Sequence, residues 1–282
     1  MRGAAALVVT AVAATGCGGP AAPAGDRPAP SGSTVAAVPD IRAEAVRLRT
    51  DEVVGGRIQL RITDTGDEPF TVTAVALDAP GFAPLAPTAV SAAFVPDRVI
   101  DLPTPHGDVM CGVKPATSSA RITVVRPNGA VEELRVPLGD AVLQRVHRED
   151  CAAQAVAGAV EVRITGLVAE DEGLAGRLTL IRRAGDDRVV VERVGGSVLV
   201  DVAADAPLPL EAGEAMTDGP VRFTVATCDA HVLAEAKQPY LFPWEVRLGT
   251  APPVVVDLPV DDRLLGALTD LVARSCQDRG GG

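Results

Sequence analysis

A self-match at a shift of about 120 residues constrains what this chain can fold into more than any other feature. Gly56-Arg57-Ile58-Gln59-Leu60 aligns with Gly176-Arg177-Leu178-Thr179-Leu180, and Gly66-Asp67-Glu68 with Gly185-Asp186-Asp187. Val72 and Val75 align with Val191 and Val194. Cys111 then falls in step with Cys228, and Cys151 with Cys276. Each pair encloses a β-like run ending in Val136-Pro137-Leu138-Gly139-Asp140 or Leu258-Pro259-Val260-Asp261-Asp262. The expectation is two tandem homologous domains, 38–156 and 157–279.

Within each copy the local patterns are those of strands. Arg57 to Thr63 and Pro69 to Leu77 alternate polar with apolar residues around Asp64 to Glu68, which predicts a hairpin with one buried face. Arg121 to Val125 and Val131 to Val136 flank Pro127-Asn128-Gly129, where Asn-Gly supplies the positive φ angles of a tight hairpin. A further hairpin is expected from Trp244 to Leu248 and Val254 to Leu258 around Gly249 to Pro253. Turn signals at this density point to mostly β structure, two immunoglobulin-like β-sandwiches in tandem. A short helix closes each copy. Asp261 or Asp262 can cap one with Leu264, Leu265, Leu268, Leu271 and Val272 on a single face, and Asp140 to Ala153 repeats it weakly with Leu143 and Val146.

The amino terminus reads as an address. Arg2 is a cationic start, Gly3 to Ala13 a short apolar run, and Ala14-Thr15-Gly16-Cys17 a lipoprotein cleavage site, with Ala14 where Leu or Val is commoner. Residues 1–16 are therefore expected to be a signal peptide and Cys17 the lipidated first residue of the processed chain. Two or three acyl chains hold a domain on a membrane stably. The Gly, Pro, Ala and Ser of Gly18 to Ser33 cannot bury enough apolar surface to fold, so 17–37 is read as the anchor and a flexible tether. Four cysteines remain in an exported chain, where a disulfide framework is the default. Three pairings are open, and the repeat selects Cys111 with Cys151 and Cys228 with Cys276.

Composition narrows the function classes. One Trp and one Tyr leave little for nucleic-acid platforms or carbohydrate-stacking clefts. The net charge of −11 disfavours polyanionic partners and direct docking on anionic lipid. Lys114 and Lys237 are the only lysines among 26 basic residues, a skew typical of a high-GC actinobacterial genome. That origin puts the anchor on the extracytoplasmic face of the cell membrane.

Candidate chemistry is sparse. Asp64-Thr65-Gly66 matches one loop of the aspartic proteases, but the second copy reads Arg183-Ala184-Gly185, so no paired carboxylates form and a turn is the better reading. Zinc at Cys228-Asp229-Ala230-His231 would need reduced thiols and further ligands, and His106 and His147 have no matching spacing. The pairs Asp171-Glu172, Asp186-Asp187 and Asp261-Asp262 fit no calcium loop. No nucleophile elbow, phosphate loop or dinucleotide fingerprint occurs. No catalytic residue, metal or cofactor is expected. Gln238-Pro239-Tyr240-Leu241-Phe242-Pro243-Trp244 concentrates the only Tyr, the only Trp and one Phe around two prolines. Tyr240, Phe242 and Trp244 are the candidate partner contacts. The favoured reading of Phe242 and Trp244 places them in the core beside a disulfide, and Phe82 of Pro80-Gly81-Phe82 is read as core of the first copy.

The lipobox, the Gly-Pro-Ala tether, the run Arg61-Ile62-Thr63-Asp64-Thr65-Gly66-Asp67-Glu68-Pro69-Phe70-Thr71-Val72 and the recurring Cys, Pro-x-x-Asp, Cys pattern together resemble actinobacterial surface lipoproteins of uncharacterised function with tandem immunoglobulin-like domains. The resemblance implies location and fold and carries no catalytic residues. The expected function is a non-catalytic, membrane-anchored module that binds a protein of the envelope. The alternative is a solute-binding or carrier lipoprotein feeding a transporter. Nucleic acid is not expected as a partner, and a small molecule is expected only under the alternative.

Overall fold

The computed structural model describes residues 35–113 and 115–280. The signal segment, Cys17 and most of the tether lie outside them. The described chain is mostly β, with several antiparallel sheets and two disulfides.

The first seven strands are β1 (Ile41–Val46), β2 (Arg57–Asp64), β3 (Phe70–Asp78), β4 (Thr88–Phe94), β5 (Val99–Pro105), β6 (Ser119–Val125) and β7 (Val131–Pro137), with a short helix α1 (Arg49–Val54) between β1 and β2. They form two sheets, of order β1-β2-β5 and β4-β3-β6-β7. Alternation sets the inward faces, as in β1, where Ile41, Ala43 and Ala45 are buried and Arg42 and Glu44 are exposed. Ile58, Leu60 and Ile62 of β2 meet Phe70, Val72 and Val75 of β3 and Ala120, Ile122 and Val124 of β6 in one apolar core.

The hairpin expected around Asp64 to Glu68 does not form. β2 is paired with β1 along one edge and β5 along the other, so no edge is left for β3, which starts the second sheet between β4 and β6. The turn instead carries the chain across between sheets. Asp64 Oδ1 accepts the Gly66 N–H at 3.0 Å, and the Thr65 N–H donates to the Asp40 carbonyl at 2.9 Å. The hairpin at Pro127-Asn128-Gly129 does form, between β6 and β7, with Gly129 alone at positive φ (83°) and Asn128 Oδ1 accepting from the Ala130 N–H.

Helix α2 (Asp140–Ala159) follows and runs without a loop into β8 (Val160–Glu170). Its Leu143 and Val146 pack in the first core and its Val156 in a second one. The expected boundary at 156/157 therefore falls inside a helix that serves both cores.

The second set comprises β8, β9 (Gly173–Arg182), β10 (Val189–Val194), β11 (Val200–Ala204), β12 (Leu208–Leu210), β13 (Met216–Val225), β14 (Pro243–Leu248) and β15 (Val254–Asp257). The sheets are β11-β13-β9-β8 and β12-β10-β14-β15, and β14 with β15 is the expected hairpin. Between β13 and β14 lies α3 (Ala230–Glu235), whose cap is Asp229, accepting from the His231 and Val232 N–H groups at 2.8 and 3.2 Å. Helix α4 (Asp262–Gly280) is capped by Asp261, whose Oδ1 accepts the Leu264 N–H at 2.8 Å. It buries Leu264, Leu268, Leu271 and Val272, while Leu265, expected on the same face, points to solvent.

The disulfides are Cys111–Cys151, with a sequence separation of 40, and Cys228–Cys276, with a separation of 48. Each ties the segment before a central strand to the helix that follows the next hairpin.

Candidate functional site

Helical spacing puts His147, Asp150, Cys151 and Gln154 along one flank of α2, at i, i+3, i+4 and i+7. Opposite that flank the chain leaves β5 through His106, whose backbone N–H donates to the Gly56 carbonyl at 3.0 Å. Position 107 must be glycine, because a Cβ there would lie 2.1 Å from the Ala83 carbonyl oxygen. This close crossing presents the buried Phe82 to both imidazoles, with ring centroids 5.1 Å from His106 and 5.7 Å from His147, each edge to face.

His106 Nε2 lies 3.9 Å from Asp150 Oδ2, an ion-pair separation rather than a hydrogen bond. His147 Nε2 is 3.3 Å from the Met110 carbonyl, and its two ring nitrogens are 3.9 and 3.8 Å from Cys151 Sγ. His106, Asp108, Asp150 and Gln154 line an open cleft of about 360 Å³. Burial holds the Asp150 carboxyl above the usual carboxylate range, against the lowering pull of His106. A neutral group is thereby favoured over a wider pH range, and the folded state loses stability as pH rises through the window just above the ordinary carboxylate value. His106→Gln is expected to move the Asp150 titration further up, which carboxyl NMR of the folded protein reads directly. An unchanged Asp150 titration would mean that His106 does not act on it. The sulfur beside His147 is bound in a disulfide, which removes it as a nucleophile.

The aromatic segment is arranged differently from an exposed contact patch. Phe242 and Trp244 are buried, and this corrects their reading as partner contacts. Strand β14 turns Trp244 and Val246 inward on alternate positions, and Phe242 packs edge to face on Phe223 with centroids 5.7 Å apart. Two large rings gain more by joining the core than by facing water. The indole Nε1 of Trp244 finds no acceptor among the described residues. Tyr240 is half-buried at the edge of the core.

Tyr240 lines one of two adjoining apolar depressions of about 400 and 490 Å³ that share Val53, Gln238 and Leu241. Val53 comes from α1 and Val198, Leu241 and Leu265 from the second half of the chain, so the surface is assembled only in the folded whole. Val53, Val198 and Leu265 are 43%, 57% and 42% exposed. A further cleft of about 430 Å³ runs between α2 and the β14–β15 hairpin, lined by Val156, Val160, Trp244, Val256 and others.

The remaining sequence candidates have structural roles. Asp64 is buried in its turn, Asp229 and Asp261 cap helices, and Cys228 is in a disulfide. Among the described residues no group of three or more His, Cys, Asp or Glu side chains could hold a metal ion, and no helix is long and apolar enough to cross a membrane. Sequence reasoning missed two constellations, the paired imidazoles around Phe82 and the apolar surface around Val53. The spacing of His147 and Cys151 was the available signal for the first. Nothing in the sequence relates Val53 to Val198.

No family model matches the chain, and no curated protein matches it. Among solved structures, the YadV chaperone is similar over 78% of this chain and 100% of its own, at 12% identity and a TM-score of 0.22. Red sea bream transglutaminase is similar over 80% of this chain and 32% of its own, at 7% identity and a TM-score of 0.22. These scores are too low to assign a shared fold.

Proposed function

We propose that the protein is a non-catalytic interaction module of the cell envelope, two tandem immunoglobulin-like β-sandwiches held by a lipid at Cys17 on the extracytoplasmic face of the membrane. The observation that carries this reading is the exposed aliphatic surface of Val53, Val198 and Leu265, with the half-buried Leu241 and Tyr240 lining the same depressions. Contiguous apolar surface on an otherwise charged protein marks a contact site for a partner. The tandem reading is supported by strand order. With β8, β9 and β13 in the places of β1, β2 and β5, and β12, β10, β14 and β15 in those of β4, β3, β6 and β7, the two halves follow one plan, to which the second adds β11 beside β13. Each half also carries one disulfide to its closing helix. Two disulfides in one chain support an oxidising compartment, as the lipobox does.

Val198→Asp combined with Leu265→Asp tests the surface without touching the core. The double variant is expected to keep the wild-type melting temperature within the scatter of surface changes, about 0.5 kcal/mol in stability, and to lose partner capture. Capture at the wild-type level would place the contact elsewhere. Incorporation of a fatty-acid analogue by the wild type and not by Cys17→Ala tests the anchor. The cleft beside Trp244 favours the carrier alternative as a second reading, because its volume suits a small ligand. A small molecule retained in native mass spectrometry would support that reading.

A further inference from the structure

Of the four cysteines in the two disulfides, Cys111 is exposed, while Cys151, Cys228 and Cys276 are half-buried. Cys111 lies in the turn after Met110, and Gln154 Oε1 is 3.0 Å from its sulfur. Its partner Cys151 sits one helical turn after His147, with the imidazole nitrogens within 4 Å of Cys151 Sγ by the distances above. An exposed sulfur joined to one that leaves beside an imidazole is the arrangement thiol exchange requires: an accessible site of attack and a stabilised leaving thiolate.

We propose that Cys111–Cys151 is a thiol-exchange site at which a low-molecular-weight thiol becomes attached to Cys111. The thiolate of the small molecule donates its electron pair to Cys111 Sγ and forms a new S–S bond. The Cys111–Cys151 bond breaks, and Cys151 departs with the bonding pair as a thiolate beside His147. The small-molecule sulfur rises to the disulfide level as the Cys151 sulfur falls to the thiol level, so there is no net oxidation. A second thiol restores Cys111 as a thiol and leaves as the small-molecule disulfide, or the Cys151 thiolate attacks Cys111 Sγ, breaks its bond to the small molecule, expels that molecule as a thiolate and re-forms the protein bond. Reclosure is favoured because the turn stays in place without the disulfide. The Met110 N–H donates to the Gly81 carbonyl at 2.8 Å, the Ala83 N–H to the Asp108 carbonyl at 2.8 Å, and Phe82 bridges to Val109. Gly81 is needed there, at φ 93°, since a Cβ would lie 2.7 Å from the Val113 carbonyl oxygen and 3.0 Å from the His147 ring. The ionisable group beside the leaving sulfur is His147; Asp150 precedes Cys151 on α2 and is faced by His106.

Incubating the folded protein with glutathione, quenching with acid and mapping the peptides by mass spectrometry tests the site. The expected product carries glutathione on Cys111 and a free thiol on Cys151, formed about tenfold faster than any opening of Cys228–Cys276. His147→Gln is expected to slow that adduct about fivefold and to leave Cys228–Cys276 unaffected. Attachment to Cys151, or equal rates at both disulfides, would overturn the proposal. The position of the adduct is read in the wild type, so it does not depend on how the variant folds.

Discussion

Trp244→Ala is expected to destabilise the protein by about 3 to 5 kcal/mol, the range for truncating a fully buried aromatic side chain. Trp244 is 3% exposed and belongs to the core built from β8 to β15 and α4. On β14 it faces inward beside Val246, with Phe242 just before the strand, so alanine leaves a cavity where β14, β15 and α2 meet. Trp244→Phe is expected to cost much less, about 1 kcal/mol. It keeps much of the ring volume and removes an indole N–H that has no acceptor among the described residues. Denaturant unfolding of the two variants measures both effects. A stable Trp244→Ala protein that has lost its partner would instead make this residue a contact.

Removing the second disulfide, by Cys228→Ala with Cys276→Ala, is expected to lower stability by about 4 kcal/mol, the loop-closure entropy for its 48-residue separation. The fold should survive. Leu264, Leu268, Leu271 and Val272 hold α4 on the core through apolar contact, and Asp261 still caps its first turn. The loss should appear as a lower unfolding midpoint with native spectra retained. A loss under 1 kcal/mol would mean that the open chain keeps α4 near the sheet before folding.

How much of this was legible in the sequence depends on the range of the interaction. The β6–β7 hairpin could be read because Asn128-Gly129 acts within four residues, and the α4 face because its leucines recur at helical spacing. The pairing of the cysteines followed from the repeat. Alternation along β2 correctly puts Ile58, Leu60 and Ile62 on one buried face, but a bulge between Val72 and Ala74 shifts the period along β3, and alternation says nothing about which strand lies alongside. The sequence-adjacent strands were therefore paired with each other, although β1 and β5 occupy both edges of β2. The last turns of α2, residues 154–159, were missed because Gln154-Ala155-Val156-Ala157-Gly158-Ala159 carries almost no amphipathic signal. Leu265 shows the opposite limit, a residue of the right type one position off the buried stripe. The imidazole pair was invisible for a topological reason: His106 follows β5 and His147 lies on α2, three elements further along the chain, and they are brought together by Phe82, the disulfide and the approach of His106 to Asp150.

The same distinction explains the aromatic segment. Pro239 and Pro243, on either side of Tyr240 to Phe242, mark an irregular connection, and irregular connections commonly carry contacts. Here Pro243 opens β14, and from that residue the strand period decides which rings are buried. Only Tyr240 remains at the surface.

In the proposed function the anchored protein engages a partner through the aliphatic surface at Val198. Photocrosslinking in cells, with a photoreactive residue at position 198 and a control at the exposed Val131 on β7, tests it most directly. The account predicts that one envelope protein is captured from 198, that it is not captured from 131, and that the capture disappears when Cys17→Ala removes the anchor. Equal capture from both positions, or only scattered abundant neighbours from 198, would contradict it.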